Sequence, residues 1–302
     1  MSDTRQRVAI AGSSGLIGDA LSSFLRNRGD EVVHLVRREP ESPHEVEWDP
    51  ANGRLDPESL GAVTAAVNLA GAGIGDKRWT DQYKRLLVSS RVDSTRTLAT
   101  TLAKLDGDIR LVNGSAMGFY GDRGEDVLDE TEPAGSAFLS DLVQQWEAAA
   151  QPAIDAGYPV AYARTGLVFA GGGMMERVLP LAKFGLGGPL GSGRQWWSWI
   201  TLVDEVRALA HLIDHPEITG PVNVVAPNPE RQKDVMRVLG RLLGRPAVLP
   251  APKPALRLVL GELSSDILSS QRLDPAVLRE SGFIWEHENV ESGLRFVLRD
   301  AE

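Results

Sequence analysis

Along the first half of the chain, apolar residues come in short blocks separated by glycine-rich or polar turns. Val8–Ala11 is the first block and predicts a strand. After a turn at Gly12–Gly18, Leu16, Ile17, Ala20, Leu21, Phe24 and Leu25 recur at helical spacing, predicting a helix over Leu16–Arg28 that Gly29 ends. Glu31–Val36 reads as the next strand, Val46–Trp48 as a weaker third, Ala65–Leu69 as a fourth, Ile109–Asn113 as a fifth and Val160–Arg164 as a sixth. Between them, Thr80–Leu105 reads as a long helix interrupted near Ser89–Ser90, and Asp141–Ala156 as another helix. Strands alternating with helices predict an α/β protein built on a doubly wound parallel sheet.

Past Gly171 the pattern changes. "AGGGMMERVLPLAKFGLGGPLGSGRQWWSW" reads as a glycine- and aromatic-rich excursion, where glycine admits close backbone approach and tryptophan supplies flat apolar walls. Periodicity returns with a helix over Ile200–His215, a strand over Val222–Val225 and a helix over Pro229–Leu243. "RPAVLPAPKPALRL" is a proline-punctuated connection, and "LDPAVLRESGF" reads as a capped helix docking the small lobe. The expected organisation is a nucleotide-binding domain over residues 1–170, to which residues 200–226 return, and a smaller mixed lobe over 171–302.

The first turn carries the strongest chemical signal. Gly12, Gly15 and Gly18 stand in GxxGxxG spacing between a strand and a helix, with a second strand following. The first glycine permits the tight turn, the second lets backbone approach a pyrophosphate, and the third allows close helix–strand packing. Gly12, Ser13, Ser14, Gly15, Leu16, Ile17 and Gly18 are therefore the candidate dinucleotide contacts. The second strand ends in "HLVRR", without the acidic residue that usually meets the ribose hydroxyls of NAD. Arg37 and Arg38 suit a 2′-phosphate instead, which favours NADP(H) over NAD(H), although Glu39 follows at once.

Composition narrows the partners. The net charge of −9 disfavours nucleic acid and anionic membrane, while leaving room for a local basic pocket. There is no cysteine, so disulfides, thiol nucleophiles and thiolate metal sites are excluded. No signal peptide or spanning segment is read, and the expectation is a cytoplasmic protein with a small-molecule substrate. "HLIDH" sets His211 and His215 four residues apart, but no third ligand accompanies them and no metal is expected.

The motifs "AGSSGLIG", "VNLAGAGIGDKRWT", "SSRVDST", "GSAMGFYG", "WEAAA", "ARTGLVFA", "SWITLVDEV", "NVVAPNP", "LGRP" and "SGFIW", in this order, resemble the extended and atypical short-chain dehydrogenase/reductase superfamily. The closer match is its epimerase-like branch, whose members carry labels such as nucleoside-diphosphate-sugar epimerase or cell-division inhibitor. The resemblance spans nearly the whole chain. It implies a Rossmann-type sheet, a small C-terminal substrate lobe and a bound dinucleotide. It further implies that Leu69, Ala70, Gly71 and Gly114 line the cofactor, that Asp49 reaches the adenine, and that Arg91 replaces a helix asparagine supporting the site. Arg78 and Trp79 would stand at the mouth, and Arg194, Gln195 and Trp196 would meet the distal part of the substrate. A homodimer through the Thr80–Leu105 and Asp141–Ala156 helices is the superfamily analogy.

By the same resemblance Ser115 is the hydroxyl that meets the substrate oxygen. The superfamily's proton-transfer tyrosine opens a Tyr-x-x-x-Lys on a later helix, where the lysine lowers the phenol's pKa. None of the four tyrosines here has a lysine four residues on, and "FLSDLVQQWEAAA" puts Phe138, Leu139, Leu142 and Val143 near those positions. Three readings follow. Hydride chemistry uses other groups, with Ser115 as donor, Tyr120 as acid and Glu147 or Arg164 assisting; or the chain is a noncatalytic NADP(H)-responsive sensor or scaffold; or Ser115 and Glu147 are merely structural.

Overall fold

In a computed structural model that describes residues 5–300, the chain builds an eight-stranded sheet. Its strands run in the spatial order Gly220–Val224, Val160–Thr165, Arg110–Ala116, Ala65–Asn68, Arg7–Ala11, Glu31–Val36, Glu45–Asp49 and Arg54–Leu55. Every pair is parallel except the last, which is antiparallel. The fold is α/β, a Rossmann-type doubly wound sheet. Strand Arg7–Ala11 has the second strand on one side and Ala65–Asn68 on the other. Chain order reverses there, and the diverging connections leave a crevice at the carboxyl ends of the strands, where ligands of open α/β sheets bind.

The apolar blocks fill both faces of this sheet. On one side Leu21 and Leu25 of helix Leu16–Arg28 and Val206, Leu209 and Ile213 of helix Leu202–Asp214 pack on Val8, Ile10 and Val67. On the other, Leu98, Ala99 and Leu102 of helix Asp81–Leu102 cover Ala9, Ala11 and Leu111. Buried Arg110 donates to the carbonyls of Leu212, Pro216 and Ile218, satisfying acceptors at and beyond the helix C-terminus. A third core joins Phe169, Leu179, Trp199, Met236, Leu239 and Leu294.

Several predicted elements change. The long helix is unbroken over Asp81–Leu102, because Ser90 turns its hydroxyl to the Leu87 carbonyl and accepts the Ala72 N–H instead of disrupting the backbone. The predicted 141–156 helix is two, Phe138–Ala148 and Gln151–Asp155, separated before Pro152, which has no N–H to continue the ladder. Trp199–Thr201 is a strand, and Thr201 then caps helix Leu202–Asp214 by accepting the Asp204 N–H. Helix Ala276–Glu280 docks through Val277 and Leu278 on the main-sheet core, not on the small lobe. The aromatic excursion contains helix Met174–Lys183, and the proline-rich connection contains helix Lys253–Leu260 with Pro254 in its first turn. No described helix is long and apolar enough to cross a membrane.

Helix Leu202–Asp214 also encloses an acid. Glu205 has no exposed surface; one oxygen accepts the Thr165 hydroxyl at 2.8 Å and the other has no partner among the described residues. Burial pushes Glu205 up to about 8, so it stays protonated at neutral pH. The folded chain therefore keeps a proton that the unfolded chain releases above about 4.5. Stability should fall by up to about 1.4 kcal/mol per pH unit from this group between those two values, then level off. Glu205→Gln removes the titration. Its stability advantage over wild type in urea melts should grow from pH 5 to 8, and a pH-independent difference would overturn the assignment.

Candidate functional site

The turn after the first strand is shaped by contacts that exclude side chains. Gly12 has φ +81°, and a Cβ there would lie 2.6 Å from the Leu69 carbonyl carbon. A Cβ on Gly18 would lie 2.2 Å from the Gly12 carbonyl oxygen. Gly15 accepts the Asp19 N–H as the helix N-cap, and no side chain caps this helix. Its first-turn N–H groups and positive dipole end are thus left for an anion. Ser14, Gly15 and Leu16 are exposed, whereas Ser13 and Ile17 are half-buried. Across the crevice, Cβ atoms on Gly172 or Gly173 would come within 3.3 Å of the Leu16 side chain, so this glycine loop passes over the helix start.

At the end of the second strand the two arginines part company. Arg38 makes a bidentate pair with Glu45 at 2.7 and 2.9 Å, which holds the Glu45 carboxyl below its usual range. Arg37 is exposed and bonds to no side chain among the described residues. Asp49 is engaged internally: it accepts from Asn52 at 2.7 Å and Arg54 at 2.5 Å. These bonds make Asp49 the cap of the short turn Pro50–Asn52.

The fourth strand delivers Leu69, Ala70 and Gly71 to the crevice. Asn68 fixes their path: its amide nitrogen donates to Thr95 and Asn113, and its oxygen accepts the Ala70 N–H at 3.2 Å. Arg91 lies against Gly71, where a Cβ would sit 3.0 Å from the guanidinium carbon, and over the Trp146 ring at 5.2 Å. It donates to the Leu87 carbonyl, and burial pulls its pKa down to about 10. Gly114 is required by packing: a Cβ would meet the Asn68 carbonyl at 2.9 Å and Trp146 at 3.0 Å.

Beside it lies a connected polar network. Ser115, 5% exposed, donates to Glu147 at 2.6 Å. Arg164 grips both oxygens of Glu147 at 2.9 and 3.1 Å and donates to the Tyr120 hydroxyl at 3.0 Å. Tyr120 donates to Asn223 at 2.8 Å. Asn223 in turn bonds Leu128, Asp274 and the Glu130 carboxylate. The Arg164 guanidinium also stands 3.5 Å from the Phe119 ring centroid. All four residues expected near the chemistry are thus brought together. Tyr120, however, has no exposed surface, and burial pushes its phenol up to about 12 despite the opposing effect of Arg164. A proton-transfer group at neutral pH needs the reverse, so the acid role expected of Tyr120 gives way to a buttressing one.

Helix Phe138–Ala148 presents apolar side chains beside this network. Phe138 meets Trp79 edge-on at 5.2 Å, and Leu142 and Val143 are buried beside Trp146. Trp79 donates to the Ile74 carbonyl, and Tyr83 to that of Gly73, which fixes the loop carrying exposed Arg78. Gln195 is buried and its amide donates to the Leu190 carbonyl. The guanidinium groups of Arg231 and Arg272 stand 3.9 and 4.6 Å from the centre of the Trp196 ring, and Trp196 donates to Glu125. Arg194 remains exposed. His211 bonds Ser281 and His215 bonds Glu217, and no metal-binding cluster occurs among the described residues. Asn68, Asn113, Asn223 and Glu130 escaped the sequence reading. The signal for the three asparagines was their place inside the apolar strands "AAVNL", "RLVNG" and "PVNVV".

Residues 8–226 match the NAD dependent epimerase/dehydratase family, and residues 251–297 match a domain of unknown function, DUF1731. The chain belongs to the NAD dependent epimerase/dehydratase family. Within it, an epimerase family protein of Mycobacterium tuberculosis, MT2273, is 42% identical over 96% of each chain. The human epimerase family protein SDR39U1, solved with NADPH, superposes with a TM-score of 0.90 at 31% identity, covering 97% of this chain and 99% of that one. The Thermus thermophilus UDP-glucose 4-epimerase, solved with NAD, shares the fold at a TM-score of 0.75 and 19% identity, over 97% of this chain and 98% of its own. In this chain the glycine turn and the Ser115 network occupy the carboxyl edge of one sheet.

Proposed function

We propose that the chain is an NADP(H)-dependent, epimerase-like oxidoreductase acting on a small polar substrate. The observation that carries this reading is the uncapped helix N-terminus at the crevice, with Gly12 and Gly18 clearing backbone that any side chain would strike. Those features fit a pyrophosphate. Arg37, which bonds to no side chain among the described residues, suits the 2′-phosphate, and the NADPH in human SDR39U1 supports that choice. A nicotinamide dinucleotide, when bound, supplies or takes up the hydride. The chain's own part is to position the substrate oxygen at Ser115 and to move its proton. The Ser115 hydroxyl already donates to Glu147, so its lone pairs are open to a substrate hydroxyl; the proton then passes to Glu147, and back in the reverse direction. Arg164 holds that carboxylate in place.

A second reading is a noncatalytic NADP(H)-responsive sensor, favoured by the apolar wall of Phe138, Leu142 and Val143 where a proton-transfer dyad would stand. Following NADPH absorbance against a panel of carbonyl compounds and nucleotide sugars separates the two. Turnover supports the enzyme, and tight binding without turnover across the panel supports the sensor. Titrations should show NADPH binding more tightly than NADH. Arg37→Ala should weaken NADPH by about tenfold to a hundredfold and leave NADH unchanged; equal wild-type affinities would overturn the cofactor assignment.

A further inference from the structure

Helix Lys253–Leu260 buries none of its residues, with Leu258 78% and Val259 69% exposed. Between it and the loop carrying Arg78 lies a groove of about 620 Å³, lined by Arg78, Pro254, Arg257, Leu258 and Glu262 among others. Glu262 is the only carboxylate on the lining, and Lys84 pairs with it at 2.5 Å. Ser264 and Ser265, also on the lining, donate their hydroxyl protons to the Gly261 and Glu262 carbonyls at 2.6 Å. The guanidinium groups of Arg78 and Arg257 bond to no described residue, which leaves two unpaired cations on one groove in a chain of net charge −9.

The placement of Arg78 is built into the turn. Gly261 adopts φ +62° and donates its N–H to the Arg257 carbonyl at 2.9 Å. A Cβ on Gly261 would lie 3.3 Å from one Arg78 terminal nitrogen and 3.4 Å from its Nε, so the bare glycine seats the Arg78 guanidinium directly after the helix that presents Arg257. Lys84, which pairs with Glu262 of the lining, lies 5.1 Å from the Phe138 ring, and Phe138 packs on Trp79 of the loop that carries Arg78. Two planar donors without a counter-ion, beside an apolar helix face, match an oxyanion attached to an apolar body.

We propose that this groove holds the phosphate or carboxylate of an amphiphilic substrate, recognised by Arg78 and Arg257, with Leu258 and Pro254 against its apolar part. This rests on the oxidoreductase reading for the word substrate, but anion binding can be measured without turnover. The full chain saturated with NADPH is titrated calorimetrically with monomeric octyl phosphate, with octyl glucoside, and with phosphatidylglycerol vesicles. Octyl phosphate should bind saturably, octyl glucoside at least tenfold more weakly, and Arg78→Gln and Arg257→Gln should each lose about tenfold to a hundredfold. Melting curves and NADPH affinity of both variants should match wild type. Equal binding of the neutral glycoside, or of either variant, would overturn the proposal. So would binding to vesicles without binding to the monomer, which would assign the face to a membrane. Failure of NADPH to bind would sink the oxidoreductase reading while leaving the anion result standing.

Discussion

Gly12→Ala should abolish dinucleotide binding and lower stability by about 2–4 kcal/mol. Two effects add. Alanine disfavours φ +81°, and its methyl would sit 2.6–2.8 Å from the Leu69–Ala70 peptide, which the sheet and Asn68 hold rigidly. Relief would require moving the fourth-strand loop that itself lines the crevice. Gly15→Ala supplies the contrast. Its φ is −81°, and the nearest atom to a new Cβ is the Gly12 carbonyl oxygen at 3.4 Å, an ordinary contact. That variant should fold with wild-type stability yet bind NADPH at least about tenfold more weakly, because the methyl stands where backbone would approach the pyrophosphate. Urea melts and cofactor titrations check both. Wild-type stability in Gly12→Ala would refute the steric account. Undiminished affinity in Gly15→Ala would remove the pyrophosphate from this turn.

The glycine turn was legible in the sequence because its physics is local: a strand, a positive-φ residue and a helix start lie within a dozen residues. The alternation of strands and helices was legible for the same reason, and so was the end of the first helix at Gly29, which adopts φ +101°. The long-range partners were not. Arg37 and Arg38 look alike in "HLVRR", but strand register brings Glu45 opposite His34 and so within reach of Arg38 alone. Tyr120 looked available as a functional group, yet its partner Asn223 lies 103 residues away, whereas Asp49 and Gln195 are engaged within their own turns, by Asn52 and Leu190. Sequence spacing cannot distinguish a tyrosine facing a cleft from one sealed beneath it. The asparagines in the apolar strands were a readable clue, since a buried amide demands partners and so marks a polar network.

Ser115→Ala should reduce turnover by about a hundredfold to ten-thousandfold without changing NADPH affinity, while Tyr120→Phe should leave turnover close to wild type. The difference follows from the order of bonds in the network. Ser115 ends the chain of donors, its proton on Glu147 and its lone pairs unassigned; removing its hydroxyl breaks the path but spares the Glu147–Arg164 pair. Tyr120 lies on the far side of Arg164, sealed from solvent, with its phenol pushed up to about 12. Loss of that hydroxyl leaves Arg164 and Asn223 each one bond short, which should cost about 1–3 kcal/mol of stability. The two variants thus divide the network into a reacting end and a supporting end, read by kinetics in one case and by denaturant melts in the other. Tyr120→Phe would place the phenol back in the chemistry if it lost turnover while keeping its stability. Ser115→Ala with full turnover would move the proton path out of this network altogether.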